Sequence, residues 1–122
     1  MRIVRLYNDQ QGESHFAEDE IKLDLTDYEP PAAPLYLSGT TPAKEFAFMN
    51  APAGWSSDWH PSAARNLFFV LSGEWEVTAS DGEARRFDVG SVLLVEDTTG
   101  KGHRSRVVGE TDSLVAMIRL PA

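Results

Sequence analysis

The sequence contains no cysteine among its 122 residues. Disulfide bridges, thiolate metal sites and cysteine nucleophiles are therefore excluded, and a reducing compartment is the simplest one to expect. No apolar run approaches the roughly 20 residues of a membrane-spanning helix, and the first residues lack the apolar segment of a signal peptide. We therefore expect a cytoplasmic protein whose residues 1–122 form one domain.

Positive charge is scarce as well. Eleven Lys and Arg stand against 19 Asp and Glu, which gives a formal net charge of −8. Phosphate backbones and anionic lipid surfaces attract cationic proteins, so we expect neither nucleic acid nor a membrane as a partner.

Helical periodicity is missing too. Instead, short runs of alternating apolar and polar residues recur at 21–26, 44–49 and 74–79, and the alternation is typical of half-buried strands. Asp81-Gly82 is a hairpin signal, and the Pro-rich stretch 29–34 predicts an extended linker. About ten short strands separated by Gly and Pro predict an all-β sandwich or barrel.

The most informative stretch is 54–73, where His60 precedes a strongly apolar strand that ends in Ser-Gly. Asn66, Phe68 and Val70 share the parity of His60. In an extended chain, side chains of one parity face the same way. The stretch therefore predicts an imidazole and a carboxamide directed toward one interior, above Phe68 and Val70.

The spacing of Gly54, His60, Ser62, Asn66 and Gly73 resembles the first motif of the cupin superfamily. In that motif the family has His, His and Glu at the positions of His60, Ser62 and Asn66.

A second block, Gly90 to His103, resembles the second cupin motif, in which a glycine, a short strand and a turn precede a histidine ligand. The turn is two residues longer than usual. The resemblance implies an antiparallel jelly-roll barrel, with its core in 54–120 and with further strands and the linker in 1–53.

The resemblance also implies a site at the mouth of the barrel. If a divalent ion such as Zn, Ni, Fe or Mn binds, we expect His60, Asn66 and His103 to be its ligands. If none binds, His60 and His103 remain the candidate catalytic residues, as general acid and base. The carboxylates of Asp58 and Asp97 either complete such a metal site, or orient an imidazole or cap a turn.

Several further side chains are candidate substrate contacts. Aromatic rings supply large apolar walls, although core packing is the commoner use of such residues. The predicted substrate-binding set is Asn66, Phe68, Trp75, Trp59 and Phe48.

Two more residues leave alternatives open. Arg65 has the parity opposite to Asn66, so we expect it to point outward. His15 is either an exposed histidine or one that reaches a site in a partner subunit.

The function predicted from these features is small-molecule binding, with isomerase, cyclase or lyase chemistry as the first hypothesis. The alternative is a non-catalytic ligand-binding or sensing module. The partners expected are a small organic molecule and a second copy of the chain, because a small barrel has open sheet edges that need covering.

Overall fold

The computed structural model describes residues 1–122 and contains strands and turns without any helix, which confirms the predicted all-β class. No segment is a helix long and apolar enough to cross a membrane. The eleven strands are β1 (Arg2–Asn8), β2 (Ser14–Glu20), β3 (Asp24–Thr26), β4 (Leu35–Leu37), β5 (Glu45–Ala51), β6 (Asn66–Val70), β7 (Glu74–Ala79), β8 (Ala84–Phe87), β9 (Val92–Val95), β10 (His103–Val108) and β11 (Ser113–Arg119).

The strands form two principal sheets. The larger sheet has the order β2-β1-β9-β6-β11-β5, the smaller has β10-β7-β8, and β3 pairs only with β4. All pairs are antiparallel except β1 with β9. The connections jump between the sheets, as they do in a jelly roll.

The core lies between the two sheets. Alternate residues of each strand point inward because successive side chains of a strand face opposite ways. Burying one such aliphatic or aromatic side chain contributes about 1.5–3 kcal/mol. The fully packed cluster consists of Leu6, Phe16, Val70, Val77, Ala79, Phe87, Leu93 and Val95.

Segment 54–60 runs beside β10 as an irregular extra strand of the smaller sheet. Ser57 N donates to Ser105 O at 2.8 Å. His60 N donates to His103 O at 2.9 Å, and His103 N donates back to His60 O at 3.0 Å. The backbone itself therefore places the two histidines opposite each other.

The turn before His103 comes very close to this segment. Gly102 has φ +74°, and a Cβ added there would overlap the carbonyl group of His60 and the nitrogen of Pro61. Only glycine tolerates both the left-handed conformation and the backbone approach. The Gly-rich turn thus delivers His103 to His60, as the sequence predicts.

Replacing Gly102 with Ala should lower the free energy of unfolding by more than about 2 kcal/mol, because left-handed strain adds to a backbone clash. Gly82 is the matched control, since it has φ +97° and nothing within 4 Å of an added Cβ. Gly82→Ala should cost only the conformational part, about 1–2 kcal/mol. Urea unfolding measures both; equal losses would show that the close approach does not hold the turn.

His15 joins the turn that contains Asp9 to the hairpin turn that contains Asp81. Its Nε2 lies 2.7 Å from Asp9 Oδ2 and its Nδ1 lies 2.9 Å from Asp81 Oδ2. The hydrogen bond with Asp9, followed by that with Asp81, raises the pKa of His15 above its ordinary 6.5. The same bond lowers the pKa of Asp9 below 3.8. His15 is therefore a link between two loops and does not line the cavity described below.

The link should stabilise the fold most when His15 is protonated. Since folding raises its pKa, this contribution is fully present below pH 6.5 and is lost as the pH rises through the folded-state pKa. The difference in free energy of unfolding between the wild type and His15→Gln should therefore shrink from weakly acidic to alkaline pH in urea titrations. A difference that does not change with pH would contradict the charged link.

Candidate functional site

A cavity of about 190 Å³ lies between the two sheets. Ten of its 13 lining residues are hydrophobic, and the other three are His60, His103 and Ser105. Trp55 and Trp75 form an edge-to-face pair in its wall, with ring centroids 5.5 Å apart. The complete lining is Met49, Trp55, His60, Phe68, Val70, Trp75, Val77, Phe87, Leu93, Val95, His103, Ser105 and Val115.

His103 is held by a buried carboxylate. Its Nδ1 lies 2.6 Å from Oδ2 of Asp97, and the Asp97 side chain is fully buried. A carboxylate accepts hydrogen bonds, so in the neutral ring Nδ1 carries the proton and Nε2 has the lone pair. Of the roles considered for Asp97, the structure shows the orienting one.

His60 is held in the same tautomer by the backbone. Its Nδ1 lies 2.8 Å from the carbonyl oxygen of Asp58. A carbonyl oxygen can only accept, so Nδ1 must donate and Nε2 is again the atom with a lone pair. The carboxylate of Asp58 accepts instead from the backbone N–H of Trp59 at 2.8 Å, which makes it a turn residue.

The two imidazole rings lie side by side in the cavity wall. Their centroids are 4.8 Å apart and their planes are tilted by 54°. Neither Nε2 has a hydrogen-bond partner in the protein. The wall of the mainly hydrophobic cavity therefore contains two neighbouring imidazoles, each with an Nε2 that is free of protein hydrogen bonds.

The predicted site residues separate into two groups. Phe68 and Trp75 line the cavity together with His60 and His103, as expected. Phe48 and Trp59 do not. Phe48 lies on the outward side of β5. Trp59 lies at the surface, where the guanidinium carbon of Arg104 is 5.0 Å from the centroid of the Trp59 ring.

Asn66 also differs from the prediction. It is buried in β6, as its parity requires, but it does not line the cavity, and its Oδ1 has no hydrogen-bond partner. The cavity reaches β6 only at Phe68 and Val70. Parity gives the face of a strand and not the position along it, which is why the sequence could not separate Asn66 from Phe68.

Arg65 points outward, as expected. Its Nε donates to Glu96 Oε2 at 2.8 Å, and Arg5 pairs with the other oxygen of Glu96 at 2.9 Å.

Several lining residues were not predicted. Met49 lies next to Phe48, so alternation would have identified it once Phe48 was placed outward. Trp55 precedes a proline-containing segment through which parity cannot be counted. Phe87, Leu93, Val95 and Val115 look like ordinary core positions in the sequence, and nothing in it marks them as cavity walls.

The donor set does not fit a resident divalent metal ion. Such ions take three or more protein ligands, whereas the cavity presents the imidazoles of His60 and His103 among apolar side chains. Asn66, the expected third ligand, lies outside the lining, and no group of three or more His, Cys, Asp or Glu could hold a metal. The set His60, Asn66 and His103 is therefore not assembled as a ligand cluster.

Solved structures with a similar fold are known, although the sequence alone finds no relative. The sequence matches no protein-family model and no curated protein. The structure is similar to a Cupin 2 conserved barrel domain protein from Salinispora arenicola, with a TM-score of 0.54, 18% identity, and coverage of 84% of this chain and 76% of that one.

Two other solved structures are similar as well. The Cnp3 cupin domain of Schizosaccharomyces pombe has a TM-score of 0.51 and 16% identity, over 99% of this chain and 83% of its own. A predicted oxalate decarboxylase from Thermotoga maritima has a TM-score of 0.50 and 21% identity, over 84% and 95%. With its two facing, mainly antiparallel sheets and these likenesses, the chain has a cupin-like jelly-roll fold.

Proposed function

We propose that the chain binds a small, mainly apolar organic molecule in the cavity and that His60 and His103 transfer a proton on it. One observation carries the proposal. Both imidazoles use Nδ1 to bind acceptors of the protein, so each has an unpartnered Nε2 in a ring that lines a mainly hydrophobic cavity.

The size and lining of the cavity indicate the class of ligand. Its 190 Å³ is of the same order as the roughly 150 Å³ apolar cavity that accepts benzene. The rings of Trp55, Phe68 and Trp75 suit a flat or cyclic skeleton. Because the two Nε2 atoms accept hydrogen bonds, the polar end of the ligand should be a hydroxyl, an enol or an acidic C–H group.

The chemistry that follows is redox-neutral proton transfer. One neutral imidazole takes a proton from a carbon next to a carbonyl group, while the other, when protonated, donates to the carbonyl oxygen, so an enol forms. Return of a proton to a different atom completes an isomerisation; loss of a leaving group completes an elimination. A positioned acid or base of this kind contributes about 10²–10⁴-fold in rate.

Asp97 would act through His103 in this scheme. Its carboxylate fixes the ring so that Nε2 is the basic atom, and it stabilises the imidazolium that forms when His103 takes up a proton.

Binding can be tested with single-ring probes. Trp55 and Trp75 lie in the cavity wall, so ligand entry should change their fluorescence; Trp59→Phe removes the third tryptophan, which lies outside. Phenol should bind about fivefold or more tighter than toluene, because it gains one hydrogen bond of about 1 kcal/mol to an imidazole. Fluorescence titration with both compounds measures this, and the absence of any saturable change would contradict a ligand cavity.

Proton transfer can be tested without the natural substrate. In D₂O the wild type should accelerate deuterium exchange at the carbons beside the carbonyl of cyclohexanone, followed by NMR. His60→Gln and His103→Gln should each lower the accelerated rate by about 10²–10⁴-fold. His15→Gln is the matched control, because it also removes one imidazole but leaves the cavity intact.

Two further measurements sharpen that experiment. Asp97→Asn should leave phenol affinity within about threefold while slowing exchange by at least tenfold, because it alters the orientation of the base and not the cavity wall. A chelator should leave the rate unchanged, since the scheme has no metal step. Exchange that is as fast in the His60→Gln and His103→Gln variants as in the wild type would overturn the proposal.

The alternative function is binding without catalysis. The predominance of apolar side chains in the lining favours it as much as it favours an enzyme. Saturable phenol binding together with exchange at the rate of the buffer would select the ligand-binding or sensing module.

A further inference from the structure

The outward face of the smaller sheet carries a polar groove of about 340 Å³, here called the outer groove. None of its seven lining residues is hydrophobic. Segment 54–60, β7 and β10 supply them, and they are Ser56, Ser57, Glu76, Thr78, Arg104, Ser105 and Arg106. Its composition is opposite to that of the cavity, so the outer groove suits a polar ligand.

Arg104 is the one arginine of the chain that has no carboxylate partner. Each of the others forms an ion pair with an Asp or Glu side chain, as expected in a chain with 19 acidic residues. Arg104 instead lies over the ring of Trp59, with its guanidinium carbon 5.0 Å from the ring centroid. Stacking holds a guanidinium by its flat face and leaves the N–H groups at its edge available. Arg104 is therefore a positioned cation whose donors have no partner in the protein.

Arg106 supplies a second cation, and Glu76 holds it in place. Arg106 Nε donates to Glu76 Oε1 at 3.0 Å, and Arg86 Nε donates to Glu76 Oε2 at 3.0 Å. These bonds, that of Arg106 first, lower the pKa of Glu76 below its ordinary 4.5. Both oxygens of Glu76 are thus occupied, whereas the two Nη groups of Arg106 have no partner. Two arginines and one glutamate leave the lining with a net charge of +1.

Hydroxyl groups stand beside both arginines. Thr78 is the partner of Arg104 in the pairing of β7 with β10, and Ser56 is the bridge partner of Arg106. Directly paired residues have Cβ atoms about 4.5–5.5 Å apart on one face of a sheet. Neither hydroxyl forms a hydrogen bond within the protein, although both line the outer groove. Guanidinium and hydroxyl donors held on one sheet face form an arrangement that recognises anionic oxygens.

We propose that the outer groove is a second binding site and that it binds a small oxyanion, a carboxylate or a phosphate group. The guanidinium groups of Arg104 and Arg106 bind the anionic oxygens, and the hydroxyls of Ser56 and Thr78 donate to the same group. A neutral ligand would leave the charge of Arg104 without a counterion. This binding does not depend on proton transfer in the cavity, because the two sites share only Ser105.

NMR titration of the isotope-labelled wild type tests the site directly. Sodium phosphate and sodium malonate, added separately at neutral pH and low ionic strength, should each shift the side-chain Nε–H signals of Arg104 and Arg106 in a saturable way. Phosphate presents a tetrahedral group and malonate a planar one, so the tighter probe identifies the group that the site prefers. Added sodium chloride should weaken both, since salt screens exposed charges. Sorbitol, a neutral polyol, should cause no saturable shift.

Removing the free cation should weaken binding selectively. Arg104→Gln should raise the dissociation constant of the tighter probe at least about tenfold, because charge-assisted hydrogen bonds are lost. Lys44→Gln is the matched control: Lys44 also lacks a carboxylate partner, unlike the other two lysines, but it precedes β5 of the larger sheet. It should change the constant less than about twofold, since charges farther apart than a Debye length are screened.

The contribution of stacking can be measured separately. Trp59→Ala should raise the dissociation constant about threefold, because it removes the ring that holds the Arg104 guanidinium. Trp59→Phe keeps an aromatic face and should restore most of the affinity. Equal weakening in both variants would show that the ring does not position Arg104.

Four results would overturn the anion site. The first is a wild type without saturable shifts from phosphate and malonate at millimolar concentrations, and the second is sorbitol binding as tight as theirs. The third is equal weakening by Arg104→Gln and Lys44→Gln, which would show general charge attraction. The fourth is shifts confined to His60 and His103, which would place the anion in the cavity. The wild-type titration needs no substitution, so it decides the matter even if Arg104→Gln fails to fold.

Discussion

The reciprocal backbone hydrogen bonds between His60 and His103 are the contact on which the site depends. They align segment 54–60 with β10 and place the two histidines opposite each other. Gly102 makes that alignment possible, because a Cβ at this position would overlap the backbone of His60 and Pro61. The main chain thus brings the two residues together, and the carbonyl oxygen of Asp58 and the carboxylate of Asp97 orient their rings.

β5 connects the cavity with the outer surface. Met49 faces the cavity, whereas its neighbour Phe48 faces outward. Because β5 has only β11 as a neighbour, one wall of the cavity is an edge strand that is hydrogen-bonded on one side only.

The sequence predicts the fold better than the site, for physical reasons. Alternation and Gly/Pro spacing are local, so they indicated the all-β class and most of the strands. They missed β2, and the half-buried strand predicted at 21–26 is only the short and largely exposed β3. The two motifs did place His60 and His103 together. The cavity lining does not include Asn66, Phe48 or Trp59, and the sequence could not show this because a period of two gives only the face of a strand. Long-range packing decides how the two sheets are placed relative to each other. That placement in turn decides how far the cavity extends along β6 and which side of β5 faces it.

The polar groups at this end of the sandwich oppose folding. Oδ1 of Asp97 and Oδ1 of Asn66 are buried without partners. Asn66 pairs with Val95, and Asp97 follows two residues later on the same face, so both lie at the end of β9 nearest His103. A buried carboxylate with a single hydrogen bond is costly, and apolar residues of similar volume would pack there at lower free energy. Unsatisfied buried groups next to two imidazoles with unpartnered Nε2 atoms break the rule that buried polar groups are hydrogen-bonded, and functional sites are where such exceptions are expected.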